Sequence, residues 1–234
     1  MVIFNKENHT YKNPETGRYY KSVSKLLGEY RKPFNADFHA INTALKRKTT
    51  VEAIKKEWED GKNIACAKGQ DIHDAVEQYI KEEKILPGKE SLIENFKTIF
   101  PDIHEFKKVH SERIVWDDDN EIAGTSDLIC DVRNNYFDVY DFKTNKAFNF
   151  YNKYSEYLLS PLDHLQHCHY NDYTLQLSLY IYMYEKQTGR KFRQAGILYH
   201  DNTKFNYYPV SYLFWDIQVL LKHHKKNGQL SKTS

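Results

Sequence analysis

Two short runs of residues, Asp127-Leu-Ile-Cys-Asp-Val132 and Tyr136-Phe-Asp-Val-Tyr-Asp-Phe-Lys143, decide the fold of this chain. Both are rich in β-branched and aromatic residues, and Asn134-Asn135 lies between them, a composition typical of a β-hairpin. A further run of this kind, Glu112-Arg-Ile-Val-Trp116, precedes the polar turn Asp117-Asp-Asp-Asn120. The sequence therefore predicts an antiparallel meander in the middle of the chain.

Helical patterns surround this meander. On its N-terminal side, Ser22-Val-Ser-Lys-Leu-Leu27 predicts a short capped helix, and Thr49-Thr-Val-Glu52 has capping-box spacing that opens a longer one. Further helices are predicted from near Ile64 to Glu83, ended by Leu86-Pro-Gly88, and from Leu92 to Phe100, stopped by Pro101. On the C-terminal side we expect a helix from near Asn171 to Gly189, strands Gln194–Tyr199 and Phe205–Val210, and an amphipathic helix from about Ser211 to Lys226.

The chain has 234 residues with only 9 Gly and 6 Pro, and no linker-like stretch divides it. Its length suits one large domain. We therefore predict a single α/β domain over residues 1–234, with a central mixed sheet, helices on both sides and a largely helical N-terminal part.

Composition excludes several classes of protein. With 34 Lys+Arg against 32 Asp+Glu, the chain is not a polycation that holds nucleic acid by bulk charge. No apolar run approaches the about 20 residues that cross a bilayer, and the N-terminus does not resemble a targeting segment. Cys66, Cys130 and Cys168 are odd in number and far apart, so we expect a reducing, cytoplasmic setting without a disulfide framework.

Four short patterns with chemical potential occur in order: Gly69-x-x-x-His73-x-x-x-Glu77, Gly124-Thr-Ser-Asp127, Asp141-Phe-Lys143 and Gln176-x-x-x-Tyr180. Each is weak alone, because an acidic residue two positions before a lysine also occurs at Asp60/Lys62, Glu82/Lys84 and Glu105/Lys107. Those three lie in charged segments predicted to be helical. Only the Asp141 pattern ends an aromatic strand.

On a strand, residues two apart share a face, so Asp141 and Lys143 can project into one pocket while Phe142 turns into the core. Asp127 lies on the neighbouring predicted strand. Two convergent carboxylates beside a lysine suit Mg²⁺, and a pair of such ions, about 3.5–4 Å apart, serves phosphodiester cleavage. His73 would add a nitrogen ligand, which favours Mn²⁺ more than an all-oxygen site does.

In their order and spacing, the four patterns resemble the RecB-like branch of the PD-(D/E)xK nuclease superfamily, which includes phage exonucleases and the mitochondrial genome-maintenance exonuclease. Ser22–Leu27, Lys32-Pro-Phe34, Trp58 and Tyr173–Tyr180 also resemble phage members, so the similarity extends from about Thr10 to Lys222. The resemblance implies a restriction-endonuclease-like fold. It also implies metal-dependent exonuclease activity on single-stranded DNA or duplex ends, in phage or bacterial DNA processing or recombination in the cytoplasm of a bacterial host.

The resemblance assigns roles to individual residues. It implies Mg²⁺ or Mn²⁺ ligands at His73, Asp127, Asp141, the main-chain carbonyl of Phe142 and, as in some relatives, Glu112, with Glu77 beside them. It makes Lys143 the catalytic lysine and has Gln176 and Tyr180 position DNA or that lysine. Some relatives bind an iron–sulfur cluster through four cysteines, which the three cysteines here cannot supply, so no cluster is expected.

The implied partner is DNA, and no membrane is involved. A Gly-x-x-x-x-Gly-Lys-Ser/Thr motif is missing from the sequence, so a motor would be another chain. A separate helicase, single-strand-binding protein or recombination protein fits that role. The oligomeric state stays open.

The aromatic stretch from Phe148 to Tyr157 has two interpretations. Lys146, Tyr151, Tyr154 and Tyr157 are candidate DNA contacts, because aromatic rings stack on unpaired bases. Alternatively, the rings seal the side of the core. The nearby His164, His167, Cys168 and His169 lack a second pair at zinc-finger spacing, so a polar surface loop is favoured over a zinc site.

Residues of the four patterns also have purely structural interpretations. His73 and Glu77 suit an ordinary surface pair, Asp127 the cap of a turn, and Gln176 with Tyr180 the core face of a half-buried helix. Two further functions are compatible with the same residues. One is a structure-selective endonuclease or nickase with the same site, and the second is a non-cleaving binding module on this fold.

Overall fold

A computed structural model describes residues 1–100 and 106–230, with side chains up to Asn227. Within this part the elements are β1 (Ile3–Asn5), β2 (Thr10–Lys12), β3 (Tyr19–Ser22), α1 (Val23–Gly28), α2 (Ala36–Arg47), α3 (Val51–Glu82), α4 (Glu90–Ile99), β4 (Lys108–Asp117), β5 (Ile122–Asp131), β6 (Tyr136–Lys143), α5 (His169–Thr188), β7 (Lys191–His200), β8 (Phe205–Val210) and α6 (Phe214–Leu230). None of these helices is both long and apolar enough to pass through a membrane.

The eight strands form one open mixed sheet in the order β1-β2-β3-β5-β6-β7-β8, with β4 paired to β5. The β3–β5 and β6–β7 pairs are parallel, and the remaining pairs are antiparallel. β4 pairs along β5 except at Asp127, while β3 pairs with the beginning of β5 and β6 with its last four residues. Among the described strands, none pairs with residues 124–127 on the side that β3 and β6 share.

Helices cover both faces of the sheet. On one face, α1, α5 and α6 bury Leu26, Leu175 and Leu220 in the largest apolar cluster. On the other face, α3 and α4 bury Val76 and Phe96 in a second cluster. The predicted α/β arrangement of a mixed sheet with helices on both sides is therefore confirmed.

The meander and its hairpin are confirmed, with one difference. β5 is continuous from Ile122 to Asp131, whereas the sequence predicted a short run from Ile122 to Gly124 and a separate strand beginning at Asp127. The Asn134-Asn135 turn lies between β5 and β6, and both asparagines have positive φ, of 58° and 65°. Asparagine tolerates this left-handed region better than most residues, which explains why the hairpin turns there.

The longest helix was not predicted correctly. α3 is one helix of 32 residues, whereas the sequence suggested one helix opening at Thr49 and another starting near Ile64. Its N-cap is Thr50, whose side chain accepts a hydrogen bond from the Ala53 amide, so the predicted capping box at Thr49 is wrong. The helix ends at Glu82, before Leu86-Pro-Gly88, because Glu83 adopts a left-handed conformation.

The predicted largely helical N-terminal part begins instead with three short strands. β2 and β3 bury Tyr11 and Tyr20 against Ala123 of β5, together with Val2, which directly precedes β1. The capped helix that follows is confirmed, because the Ser22 side chain accepts from the Lys25 amide. Strands of three or four residues are too short to show alternation of polar and apolar residues, so the sequence pattern does not reveal them.

The remaining predicted helices and strands are present with shifted bounds. α4 confirms the predicted helix before Pro101, and Pro101 itself lies outside the described residues. α5 begins at His169, two residues before the predicted cap at Asn171. It ends at Thr188, and Gly189 closes it as predicted. The two predicted strands after it correspond to β7 and β8, and the last helix begins at Phe214.

Candidate metal centre

His73 reaches the sheet because α3 lies close to the end of β6. A Cβ added at Gly69, one turn earlier, would be 2.9 Å from Thr144 Oγ1, so this position favours glycine. The His73 ring meets the Phe142 ring edge-on, with centroids 5.5 Å apart. Helix α3 therefore delivers the imidazole to the region where β5 lacks a neighbouring strand.

Glu112 and Asp127 occupy facing positions on β4 and β5, since Ser111 pairs with Leu128 and Arg113 with Ser126. Glu112 has a φ of 49°, a left-handed conformation that is unusual for a non-glycine residue within a strand. Such a conformation costs about 1–3 kcal/mol and concentrates at functional sites.

These two carboxylates converge on the imidazole. Glu112 Oε1 lies 3.9 Å from His73 Nδ1, and Asp127 Oδ2 lies 3.8 Å from His73 Nε2. One ligand atom from each of the three residues lies within 4.8 Å of the other two. In the described part of the chain, no other group of three or more His, Cys, Asp and Glu side chains comes this close.

The three residues fit a divalent ion. Ligands at about 2.0–2.2 Å from an ion stand at most about 4.4 Å from each other, so small side-chain shifts bring these donors to bonding distance. One imidazole nitrogen and two carboxylates form a donor set compatible with Mn²⁺ or Mg²⁺.

Asp127 is held in place by the backbone of the neighbouring strand. Its Oδ2 accepts a hydrogen bond of 2.7 Å from the Phe142 amide. The β5–β6 ladder includes the pair Leu128–Tyr140, and one step further would place Asp127 opposite Asp141. The side chain of Asp127 thus takes an amide donor at the point where the ladder ends.

Asp141 and Lys143 form a buried ion pair next to this cluster. Asp141 is only 2% exposed, and its Oδ2 contacts Lys143 Nζ. Asp141 lies outside the three-residue cluster, although the sequence grouped it with Asp127 as a ligand. Glu112, which the resemblance supported only through some relatives, belongs to the cluster instead.

Burial and crowded charge shift the pKa values of the site. Desolvation raises the pKa of Asp127, and it raises that of Asp141 to about 6 although Lys143 opposes the shift. Burial works to lower the pKa of His73, but Glu112, Asp127 and Asp141 outweigh it and raise the value to about 9. For Lys143, too, burial is outweighed by Asp141 and Asp127, and the pKa rises. The site thus binds protons more tightly than isolated side chains do, and a divalent cation would replace them.

Helix α5 places an aromatic ring against the lysine. Lys143 Nζ lies 4.7 Å from the centroid of the Tyr173 ring, whose hydroxyl donates to Asn145 at 3.2 Å. Tyr173 was not among the catalytic or metal-binding residues predicted from the sequence. Its position one turn before Gln176 on the same helix was the available signal.

The predicted positioning residues Gln176 and Tyr180 contact each other. Gln176 Nε2 donates to the Tyr180 hydroxyl at 2.9 Å. The Tyr180 ring is buried and packs on Gly124, where an added Cβ would come within 2.6 Å of ring atom Cε1. Glu77, the other predicted neighbour, accepts from Ser111 Oγ at 3.4 Å and pairs with Lys81.

The aromatic stretch after β6 is partly packed on the core and partly exposed. Phe148 packs against the main core cluster. By contrast, Tyr151 and Tyr154 are 70% and 73% exposed, and both line a groove of about 1080 Å³. Tyr157 and Lys146 are exposed but do not line this groove.

The loop before α5 is not simply a polar surface loop. Cys168 is buried, is the N-cap residue of α5 and donates a hydrogen bond from Sγ to the Phe150 carbonyl. His164 pairs with Asp216 at 2.8 Å, and His167 pairs with Asp172 at 3.5 Å. The other two cysteines lie elsewhere, Cys130 buried on β5 and Cys66 exposed on α3.

Fold and site together define the class of this protein. It is an α/β protein with an open mixed sheet and a candidate divalent-metal centre where β5 lacks a neighbouring strand on one side. No protein-family model matches the chain. No curated protein matches it either.

Among the solved structures that this chain resembles, two show the following weak similarity. The chain is 13% identical to SSO0001, with a TM-score of 0.42 and coverage of 91% of this chain and 76% of the other. It is 12% identical to a protein from Eubacterium rectale provisionally named an exonuclease, with a TM-score of 0.44 and coverage of 97% and 85%.

Proposed function

We propose that this chain is a metal-dependent deoxyribonuclease, a single nuclease domain with a restriction-endonuclease-like core that resembles the RecB-like branch of the PD-(D/E)xK superfamily. One observation carries the proposal. The cluster of His73, Glu112 and Asp127 lies beside a half-buried lysine, Lys143, that is paired with the buried Asp141. Acidic ligands can hold a divalent cation, and the lysine adds a second positive charge beside it. Two positive charges suit the hydrolysis of a phosphodiester, because the substrate and the leaving group are both anionic.

In this proposal, His73, Glu112 and Asp127 hold Mg²⁺ or Mn²⁺, and Asp141 and the Phe142 carbonyl complete the ligand set. When bound, the ion lowers the pKa of a water molecule and neutralises charge on the phosphate. The hydrogen bond that the Phe142 amide donates to Asp127 fixes the orientation of the Asp127 carboxylate.

Lys143 supplies a positioned charge. Its ammonium is held by Asp141 on one side and by the Tyr173 ring on another, so it has little freedom to move away. From there it orients the attacking water or offsets charge developing at the phosphorus. Tyr180 packs against β5 beside the site and accepts a hydrogen bond from Gln176. No protein side chain becomes covalently attached to DNA.

We further propose an exonuclease that acts on single strands or duplex ends in phage or bacterial DNA processing, with any helicase or recombination partner on another chain. A structure-selective endonuclease with the same residues is the nearest alternative. The complete set of Asp127, Asp141 and Lys143 argues against a non-cleaving binding module, which has no need of a metal centre.

The test uses end-labelled linear single strands, linear duplexes and closed circles, each incubated with Mg²⁺, Mn²⁺ or EDTA. We expect cleavage of the linear substrates with metal, no cleavage in EDTA and survival of the circles. The variant Asp127→Asn, which keeps an oxygen acceptor for the Phe142 amide but loses the charge, should be inactive. Cleavage of circles would favour the endonuclease, and no cleavage of any substrate would contradict the nuclease assignment.

A further inference from the structure

A groove of about 1080 Å³ lies between the segment that joins α1 to α2 and the loop that follows β6. Phe34 on the first segment is 67% exposed, and it faces the same groove as the exposed rings of Tyr151 and Tyr154 on the second. Lys153 lies over the Tyr154 ring, 4.9 Å from its centroid. The Phe34 ring stacks on His39, with centroids 4.6 Å apart. Phe34 and Tyr154 thus each have one covered ring face, and exposed aromatic rings still line the groove from two separate segments.

The charged side chains of the groove nearly cancel. Arg31 and Lys153 line it together with Glu156 and Asp172, and Arg31 lies 3.3 Å from the Asp172 carboxylate. His167 is also turned toward Asp172, at 3.5 Å. The groove therefore offers ring faces and hydrogen-bonding groups rather than a surplus of positive charge.

The groove adjoins the candidate metal centre through one residue. Tyr173 lines the groove and is the residue whose ring lies 4.7 Å from Lys143 Nζ. A chain lying in the groove would therefore come as far as the Tyr173 ring, which contacts the lysine. This shared residue separates the groove from an isolated apolar patch.

We infer that this groove holds an unpaired DNA strand through its bases and makes the enzyme selective for single-stranded over duplex DNA. Exposed rings stack on base faces, which are free in a single strand and covered by neighbouring pairs in a duplex. Because few unpaired cations line the groove, binding depends only weakly on salt compared with a phosphate-binding channel. The inference rests on the proposed nuclease function, whose substrate class it narrows.

The first experiment uses the wild-type protein and three labelled probes of about 20 nucleotides: an oligo-thymidine strand, a blunt duplex, and a strand built from abasic tetrahydrofuran residues. Binding is measured by fluorescence anisotropy in EDTA, so that no cleavage occurs. We expect Kd for the thymidine strand to be at least about 10-fold lower than for either other probe. Equal affinity for the abasic strand would overturn the inference, because that strand keeps the phosphates and lacks the bases.

The second experiment uses the double variant Tyr151→Ala/Tyr154→Ala. Both rings are largely exposed, so the fold is retained, and we expect single-strand affinity to fall at least about 10-fold while duplex affinity changes little. Tyr19→Ala and Trp215→Ala remove rings that are 62% and 77% exposed outside the groove, and they should bind like the wild type. An equal loss in the controls and the double variant would contradict the assignment of the groove.

The two proposals fail in different ways. If the wild type cleaves DNA with Mg²⁺ or Mn²⁺ but shows no base-dependent preference for single strands, the groove inference is wrong and the nuclease stands. If it prefers single strands through their bases but never cleaves DNA, the nuclease proposal fails while the groove remains a single-strand site.

Discussion

Gly124→Ala should destabilise the protein, because the added methyl group has no room. Its Cβ would lie 2.6 Å from Tyr180 Cε1 and 3.1 Å from Val23 Cγ2. Non-bonded carbon atoms pack at about 3.5–4.0 Å, so the contact with the ring is about 1 Å too short. Tyr180 is 3% exposed and its hydroxyl accepts a hydrogen bond from Gln176, so its ring cannot rotate into solvent to relieve the contact. Overpacking of this kind costs about 1–3 kcal/mol.

The assay is urea denaturation in EDTA, with Gly61→Ala as the matched control. Gly61 lies within α3, and an added Cβ would meet no atom within 4 Å. This control should gain about 0.5–1 kcal/mol, because alanine favours a helix more than glycine does. The double variant Gly124→Ala/Tyr180→Leu should be less destabilised than the two single changes added together. A Gly124→Ala protein as stable as the wild type would refute the close packing of Tyr180 on β5.

Three further predictions concern the site. His73→Gln should weaken Mn²⁺ binding at least about 10-fold, measured by electron paramagnetic resonance titration, while the exposed His9→Gln should have no effect. In EDTA, the free energy of unfolding should fall by about 1–3 kcal/mol as pH rises from 6.5 to about 9, because folded His73 holds its proton with a raised pKa and loses that stabilisation on deprotonation. Urea denaturation across this range should show a smaller decrease for His73→Gln. Tyr173→Phe should keep the DNA cleavage rate within about 3-fold of wild type, whereas Tyr173→Leu should slow it by about 10-fold, because only phenylalanine retains a ring against Lys143.

The central hairpin and the Asp141–Lys143 pair were predictable because a strand alternates strictly between faces. That period places the side chains of Asp141 and Lys143 on one face of the sheet and buries the intervening Phe142 on the opposite face. This follows from the strand alone and does not depend on the rest of the fold. The helix with His73 was predictable for a similar reason, since Ile72, Ala75, Val76 and Tyr79 form a buried stripe at helical spacing.

The continuity of α3 was not predicted, although a helix opening near Thr49 was, because most residues in its first half are exposed. Without a buried stripe, Gly61 is the most visible local signal, and it suggests an interruption. The helix continues through it, because the cost of about 1 kcal/mol for one glycine is small beside that of ending and restarting a helix.

Two features of the site depend on tertiary structure. Glutamate has no preference for positive φ, so nothing local in the sequence indicates that Glu112 takes a left-handed conformation within β4. The contact between Tyr173 and Lys143 depends on how α5 docks on the sheet, which residue spacing alone does not determine.

The most direct test of the account compares Lys143→Gln with Lys84→Gln in cleavage of labelled single-stranded DNA with Mn²⁺. Lys84 also follows an acidic residue, Glu82, by two positions, but it is exposed in the segment after α3. Glutamine at position 143 can still donate a hydrogen bond to Asp141, so the variant removes the charge while leaving the carboxylate a partner. We predict a rate loss of at least about 100-fold for Lys143→Gln and a rate within about 2-fold of wild type for Lys84→Gln. Equal rates for the two variants, or a wild-type rate that EDTA does not reduce, would contradict the account.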